Sequence, residues 1–449
     1  MFEILLVYPF FKSQFDRSPF RFPPLGMGYI ASFLRRENFK VKLIDCTFRD
    51  RKSVVKEIVE LRPEIVGIYS MYSMENDSIE LARNIRKVTD LLIAGGPLPT
   101  AEPSSFFHDF DLVVVGEAEN TMLEVVNAYS ENEDPKMVSG VIFQEGSNTY
   151  HTGKSKSIDN LDSIPFPARG LFNNDSYKRY YKSHFGYTMT SMISSRGCPF
   201  RCDFCSRPIF KEGFRSRSYN NIVDEMESIM DMEYDMIWFA DDCFTISKDR
   251  VVKICNEIIR RELDVKWQCL SRVDAMDLEM ASKMRAAGCQ RVYFGIESGD
   301  QRTLHLMKKD IDLQTARSAV YNAKKAGIET GAFLILGYPG ESEEMILNTI
   351  HFGTSLPLDY LSFTLPYPIP GTGLYEKVKG DLIEPRKRRI KLIEQTLQFK
   401  SQFSEFKLKF AILKGTVQFR IRKYFGELGY KLFGRSFEKI TDLLFRLMK

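Results

Sequence analysis

The sequence predicts an α/β protein: a doubly wound parallel sheet, then a partial (β/α)6 barrel, then a helical C-terminal region. Three observations carry that reading. Apolar, β-branched runs alternate with amphipathic stretches about 10–15 residues long, the pattern of a parallel sheet covered by helices. The alternation is interrupted once, by a hairpin pattern and a segment with two closely spaced prolines, and then resumes. It stops before a basic, phenylalanine-rich end. The expected boundaries are 1–135, 136–185, 186–380 and 381–449. At 449 residues the chain exceeds the usual single-domain size.

In the first part the expected strands are Phe2–Tyr8, Lys40–Asp45, Ile65–Ser70, Leu91–Gly95 and Leu112–Gly116, with helices Leu25–Glu37, Ser53–Leu61, Glu75–Val88 and Asn120–Glu131. A Rossmann-like domain of this kind binds ligands at the carboxyl ends of its strands. Three of those ends are small or polar: Ser70-Met71-Tyr72, Gly95-Gly96-Pro97 and Gly116-Glu117. One glycine alone closes a turn; three ends on one sheet edge point to a cleft where backbone approaches a ligand. Next, Val138–Phe143 and Thr149–Thr152 form a hairpin around Glu145-Gly146-Ser147-Asn148. Ile164-Pro165-Phe166-Pro167 is an extended linker, because prolines two apart cannot lie inside a helix. The second part has expected strands Thr188–Ser194, Met236–Ala240, Lys266–Leu270, Arg291–Gly295, Thr330–Leu336 and Leu361–Leu365. Helices fall at 219–232, 249–262, 277–287, 312–326 and 342–355. The active face of such a barrel is at the C-terminal ends of its strands.

Composition is that of a globular protein, with 44% hydrophobic and 27% charged residues, which excludes disordered and disulfide-scaffold classes. No apolar run approaches the ~18 residues of a spanning helix. The acid-containing start, Met1 to Pro9, does not read as a signal peptide. The expectation is a cytoplasmic protein with reduced thiols. Of its eight cysteines, Cys46, Cys243, Cys255, Cys269 and Cys289 sit singly in apolar patterns and read as small buried hydrophobes. The other three form one cluster, Cys198-x3-Cys202-x2-Cys205, directly after the first barrel strand. Three thiolates so close hold a soft metal centre. Zinc wants a fourth nearby ligand, and no histidine lies between His184 and His305. An iron–sulfur cluster normally takes four cysteines, so with three a 4Fe-4S cluster keeps one iron open for substrate or cofactor chemistry.

The run Arg196-Gly197-Cys198-Pro199-Phe200-Arg201-Cys202-Asp203-Phe204-Cys205 resembles the signature loop of the radical S-adenosylmethionine (SAM) enzymes, in spacing, in the Gly-Cys-Pro lead and in the aromatic residue before the last cysteine. The resemblance implies that Cys198, Cys202 and Cys205 hold the cluster and that SAM chelates the open iron. It also implies that an electron from the cluster cleaves SAM to methionine and a 5′-deoxyadenosyl radical. Later strand ends resemble the same family in the same order. Asp241-Asp242 stands where a polar contact to the SAM amine is expected, although an aspartate also caps helices well. Arg272 could pair with the SAM carboxylate through both guanidinium arms. Gly295-Ile296-Glu297-Ser298-Gly299 resembles the ribose-binding strand end, and Leu336-Gly337-Tyr338-Pro339-Gly340-Glu341 the adenine-side glycine motif. For each, a plain turn or cap is the alternative.

The first part, with Pro23-Pro24-Leu25-Gly26, Gly95-Gly96-Pro97 and Gly116-Glu117-Ala118-Glu119, resembles the cobalamin-binding domain of class B radical SAM enzymes. The hairpin and the Ile164–Arg169 linker resemble that family's connector. Cobalamin contacts are expected at Ser70, Gly95, Gly96, Gly116 and Glu117. The Asp-x-His-x-x-Gly cobalt-ligating motif of other cobalamin proteins is absent, and the domain's one histidine is His108, so no protein imidazole on cobalt is expected. The resemblance implies a cobalamin-dependent methyltransferase acting on an unactivated carbon. The alternative is a non-methylating enzyme of the same architecture that closes a ring or rearranges carbon bonds. A reductant such as ferredoxin or flavodoxin is the expected partner; nucleic acid is not.

From Arg386 to Lys449 the chain has 17 Lys+Arg against 5 Asp+Glu, leaving residues 1–385 at a net −8. Nine phenylalanines are interleaved there, from Phe399 to Phe445. Two readings fit: amphipathic helices packed on the body with solvated basic faces, or a peripheral contact with a membrane, which would favour a lipid among the small-molecule substrates. All the motifs precede Pro385, so the cluster is expected not to need the tail.

Overall fold

The computed structural model describes residues 3–11, 20–206, 213–383 and 397–448. Met1, Phe2, the Arg386–Arg389 run, Lys391 and Lys449 lie outside the described residues. Two compact units are found: 1–197 with 207–221, and 198–206 with 222–449.

In the first unit, strands β1 (Ile4–Tyr8), β2 (Val41–Asp45), β3 (Ile65–Tyr69), β4 (Leu91–Gly95) and β5 (Leu112–Val114) form a parallel sheet in the order β2-β1-β3-β4-β5. Ile4 to Val7 and Ile65 to Ile68 are all buried, as expected of strands covered on both sides. Helices α1 (Leu25–Arg36), α2 (Arg51–Leu61), α3 (Glu75–Ile85), α4 (Pro97–Ala101) and α5 (Glu119–Ser130) connect or follow them. Met27, Ala31 and Leu34 of α1 pack with Met122, Val125 and Val126 of α5 on one face. Val54 and Ile58 of α2 pack with Leu81 and Ile85 of α3 on the other. Helix α2 starts two residues before the expected Ser53, because the Asp50 carboxylate caps it by accepting from the Ser53 amide at 2.9 Å.

The hairpin, β6 (Val141–Glu145) and β7 (Asn148–His151), does not stand apart from this sheet. Strand β6 pairs antiparallel with β5, and β7 forms the edge. Glu145 and Asn148 are the last strand pair, so the turn itself is Gly146-Ser147. The sequence reading also passed over α6 (Asn174–Phe185), whose signal is the i, i+4 pair Tyr177 and Tyr181, both fully buried. The Tyr177 hydroxyl donates to Asp45 Oδ2 at 2.6 Å and ties α6 to the end of β2. The unit continues through β8 (Met189–Met192), β9 (Ser195–Arg196) and β10 (Arg215–Ser216), of which β9 and β10 pair antiparallel.

Helix α7 (Tyr219–Asp231) leads into the second unit. Its strands are β11 (Met236–Phe239), β12 (Trp267–Ser271), β13 (Cys289–Glu297), β14 (Glu329–Ile335) and β15 (Tyr360–Thr364), each parallel to the next. Helices α8 (Lys248–Arg260), α9 (Leu278–Ala286), α10 (Gln301–Leu306), α11 (Leu313–Lys325), α12 (Glu343–Ser355) and α13 (Gly373–Val378) intervene or follow. Ser247, Asp277, Asp300, Asp312, Ser342 and Thr372 cap these six through their side chains. Capping there satisfies amide groups that would otherwise lack partners at the helix starts.

The C-terminal region forms α14 (Glu405–Gly429), interrupted at Gly426, a π-helical turn over Tyr430–Gly434, and α15 (Arg435–Leu447). Leu408, Ala411 and Phe445 are fully buried. Lys414, also buried, pairs with Asp442 at 2.8 Å and locks α14 to α15. Helix α14 lies on the barrel: a side chain at Gly415 would meet the Phe363 ring of β15 at 2.7 Å. The tail is therefore packed on its inner side. Among the described residues no helix is long and apolar enough to cross a membrane.

Candidate functional site

The three cysteines occupy an irregular loop, with Cys198 and Cys202 partly exposed and Cys205 exposed. The other five cysteines are buried. Having no ladder of its own, the loop is held by Asp203. Its amide donates to Met307 O at 2.8 Å, and its carbonyl accepts from the Leu374 amide at 2.9 Å. Its carboxylate accepts from the Tyr338 hydroxyl at 2.8 Å and from Lys377 Nζ at 2.6 Å, with Lys308 at 3.4 Å. Burial pushes this carboxyl up, but Lys377 and Tyr338 prevail and hold it below its ordinary value. Gly373 must be glycine, since a Cβ there would lie 1.9 Å from Asp203 Oδ1. Among the described residues no three His, Cys, Asp or Glu side chains converge as ligands of one ion would. In a cluster of four irons each thiolate meets a different iron, so three separated thiols suit that group.

The expected SAM contacts divide into groups beside the loop and groups supporting it. Burial raises the Cys202 thiol, opposed by the positive charge of Lys309; Glu297 and Arg272 also act on it. The Arg272 guanidinium stacks 3.5 Å from the centre of the Phe200 ring, inside the cysteine loop. Its fork already holds Asp274 (2.8 Å) and Asp310 O (2.9 Å), so it braces the loop rather than presenting two open arms. Glu297 sits at a bulge in β13 with φ +69°, a conformation few non-glycine residues keep without a functional reason. Its carboxylate lies back over Gly295, where a Cβ would come within 2.6 Å, and pairs with buried Lys309 at 3.2 Å. Ser298 is fully buried and bridges to Thr349 of α12 at 2.7 Å, which is a scaffold contact. Asp241 is buried with Arg250 at 3.6 Å, whereas Asp242 is exposed.

Gly337 adopts φ +87° and is contacted from the tail: a Cβ there would lie 2.7 Å from Leu408 of α14. The Gly337 and Tyr338 amides both donate to Glu341 Oε2, at 2.7 and 2.8 Å. Burial pushes Glu341 up to about 7 against these bonds and that from Thr303. The tail also reaches this turn through Gln402, which donates to Glu341 O, and through the Lys407–Glu343 pair. A chain ending near Pro385 would strip the glycine turn of its cover, in keeping with the reading of the tail as helices packed on the body.

In the first unit Gly95, Gly96, Gly116 and Glu117 line one largely apolar recess, floored by Ile93, Val114 and Met122. Gly96 adopts φ +112°, and a Cβ there would strike Ser70 O at 2.6 Å. Ser70 itself does not line the recess. Its hydroxyl accepts from Ser78 at 2.9 Å and its amide donates to Gly95 O at 2.8 Å, so it shapes the strand end from behind. Glu117 is buried and engaged by Arg196 at 2.7 Å and by Arg215. The recess offers backbone edges and apolar surface, which suit a large planar ligand such as a corrin. His108 is exposed in the connection from α4 to β5. Its neighbours Asp109 and Asp111 bond to Arg83, at the end of α3, and to the Leu92 amide, at the start of β4. His108 thus lies at the sheet edge opposite the cleft.

Sequence reading missed Asp203, Lys309 and Glu341. Asp203 had a signal, its place between two ligand cysteines; Lys309, in the run Lys308-Lys309-Asp310, had none. Two predictions follow from this geometry. Anaerobic reconstitution yields one 4Fe-4S cluster per chain, and changing Cys198, Cys202 or Cys205 to Ala abolishes its visible absorption and SAM cleavage. Cys255→Ala or Cys289→Ala costs only about 1 kcal/mol of packing in denaturant titration. Full iron content in Cys202→Ala would contradict this. Separately, electron paramagnetic resonance of the Co(II) protein shows no nitrogen splitting from an axial imidazole, and His108→Ala leaves the spectrum unchanged.

Known proteins resemble both parts of the chain. A model of the radical SAM superfamily matches residues 192–353, and one of the B12 binding domain matches residues 15–126. An uncharacterized methyltransferase of Pyrococcus horikoshii, PH0819, is 34% identical over 436 residues, which cover 94% of this chain and 93% of that protein. The anaerobic magnesium-protoporphyrin IX monomethyl ester cyclase of Cereibacter sphaeroides is 26% identical over 401 residues, 85% of this chain and 64% of the cyclase. The fold resembles that of OxsB, a cobalamin-dependent SAM radical enzyme solved with aqua-cobalamin and SAM bound. The TM-score is 0.78 at 17% identity, over 99% of this chain and 72% of OxsB. Signature loop, glycine-edged recess and near full-length kinship lead to one conclusion: the chain belongs to the radical SAM superfamily, among the members with a B12-binding domain, and is an enzyme whose cofactors are a 4Fe-4S cluster, SAM and cobalamin.

Proposed function

We propose that the enzyme transfers a methyl group to an unactivated carbon of a small-molecule substrate. The observation that carries this reading is the near full-length kinship to a protein named as a methyltransferase, in a chain with both cofactor domains. When bound, the cluster supplies the electron for SAM cleavage and the cobalamin carries the methyl group. In this reading Cys198, Cys202 and Cys205 hold the cluster, while Asp203 and Arg272 keep the loop in place. Asp242 and Glu297 would take polar groups of SAM, and Gly337, with its turn set by Glu341, would offer backbone to the adenine. Gly95, Gly96 and Gly116 let backbone approach the corrin. A ring closure without methylation is the second reading, favoured by the kinship to a cyclase. A low-potential electron donor of the ferredoxin or flavodoxin kind, in the cytoplasm, fits either. The experiment is product analysis under anaerobic turnover. S-adenosylhomocysteine and 5′-deoxyadenosine forming together support methyl transfer; 5′-deoxyadenosine alone, with product, supports ring closure.

A peripheral membrane contact through the tail belongs to the same proposal. Phe406, Leu413 and Tyr424 of α14 are spaced by near-whole turns and share one stripe. Ile440, Leu443, Leu444 and Leu447 of α15 follow the i, i+3, i+4, i+7 rule. All seven are exposed, up to 75% for Tyr424 on α14 and 70% for Leu447 on α15. Lys423, Lys439 and Arg446 are exposed on the same helices, while Glu438 and Asp442 are half-buried and turned to internal partners. Apolar stripes beside exposed cations suit an anionic bilayer, with each cation worth about 1 kcal/mol near its surface. The full chain is expected to co-sediment with vesicles containing phosphatidylglycerol, to release as salt rises, and to ignore purely zwitterionic vesicles. Leu443→Glu with Leu444→Glu removes the binding. Equal recovery with both vesicle types, or self-association buried by the same face, counts against it.

A further inference from the structure

Arg196 and Arg215 stand at the two ends of the segment that carries the cysteines, two residues before Cys198 and ten after Cys205. Strands β9 and β10 place them directly opposite each other, where two like charges repel. Glu117, two residues before α5, stands between them. Arg196 Nη1 donates to Glu117 Oε2 at 2.7 Å; Arg215 pairs with Oε1 and reaches Oε2 at 3.3 Å. Glu119 takes the other arm of Arg196, and the Tyr29 ring lies 5.6 Å from that guanidinium. Glu117, Glu119 and Arg196 are buried, and these three side chains line the same recess as Gly95, Gly96 and Gly116. Burying charges is costly even when they are paired, and an apolar contact would close a two-residue ladder as well. Charges placed where the loop begins and ends, on the wall of a ligand recess, do something an apolar pair cannot: they respond to what fills the recess.

We propose that Glu117 is a positioning residue that clasps both ends of the cysteine loop and couples occupancy of the recess to the seating of that loop. Filling the recess orders the clasp. The ordered clasp holds the base of the segment whose cluster chelates SAM, so each ligand favours the other. The inference rests on the reading that cobalamin occupies this recess.

The test is a binding cycle on the full chain with its cluster reconstituted and no reductant present, so that no turnover occurs. SAM dissociation constants are measured with and without saturating hydroxocobalamin, and cobalamin binding is followed separately by absorbance. In the native chain cobalamin tightens SAM binding roughly five- to tenfold. In Glu117→Gln, brought to its own cobalamin saturation and with its iron retained, the ratio falls to one, and Glu117→Asp restores part of it. Arg215→Gln attacks the clasp from its more exposed side, gives the same loss, and serves if Glu117→Gln does not fold. An unchanged ratio in either folded variant overturns the proposal, as does a ratio of one in a native chain that binds cobalamin. A native chain that binds no cobalamin overturns the reading of the recess, and the proposal with it.

Discussion

The Asp203 carboxylate is the interaction on which the second unit's site depends. A loop that carries three cysteines in eight residues without a ladder of its own must be held by something else. Asp203 does so at three places: the end of α10 through Met307, the glycine turn through Tyr338, and the start of α13 through Leu374 and Lys377. Each anchor is charge-assisted or made to backbone, which gives direction as well as strength. Gly373 and Asp203 are matched in shape, since the carboxylate occupies the space where any other residue would put its Cβ.

Around that anchor the barrel keeps its charges paired. Lys309 and Glu297, and Arg250 and Asp241, are buried couples, while buried Arg272 holds the exposed Asp274. Removing one partner of such a couple strands a charge and typically costs about 3–5 kcal/mol. Pairing also leaves the site tunable, because an arriving ammonium or carboxylate can exchange with a partner already present. The strained backbone at Glu297 and the raised pKa of Glu341 lie in this neighbourhood, where pre-organisation is expected to concentrate.

The C-terminal helices join these arrangements through packing. Leu408 covers Gly337, Gln402 bonds to Glu341 O, and Lys407 pairs with Glu343. One side of α14 is thus committed to the glycine turn and to β15, α15 is tied to α14 through Lys414 and Asp442, and both helices also carry exposed leucine, isoleucine or aromatic residues. Its basic composition is compatible with both uses because a helix presents two faces.

The sequence by itself determined what is local and periodic. Buried β-branched runs specify parallel strands, the Cys198-x3-Cys202-x2-Cys205 spacing puts three thiols on one short loop, and the first part has no Asp-x-His-x-x-Gly motif from which an imidazole on cobalt would be expected. Tertiary structure decided whatever depends on partners distant in the chain. Ser70 looks like a ligand-ready strand end but turns inward to Ser78, and Ser298 turns to Thr349. Glu117 looks like a cofactor contact but is held by arginines 79 and 98 residues away. Lys309 reads as surface charge, yet buries against Glu297. A residue's type sets which partners it can take; only the fold decides which of them is within reach when burial makes an unpaired charge too costly to leave alone.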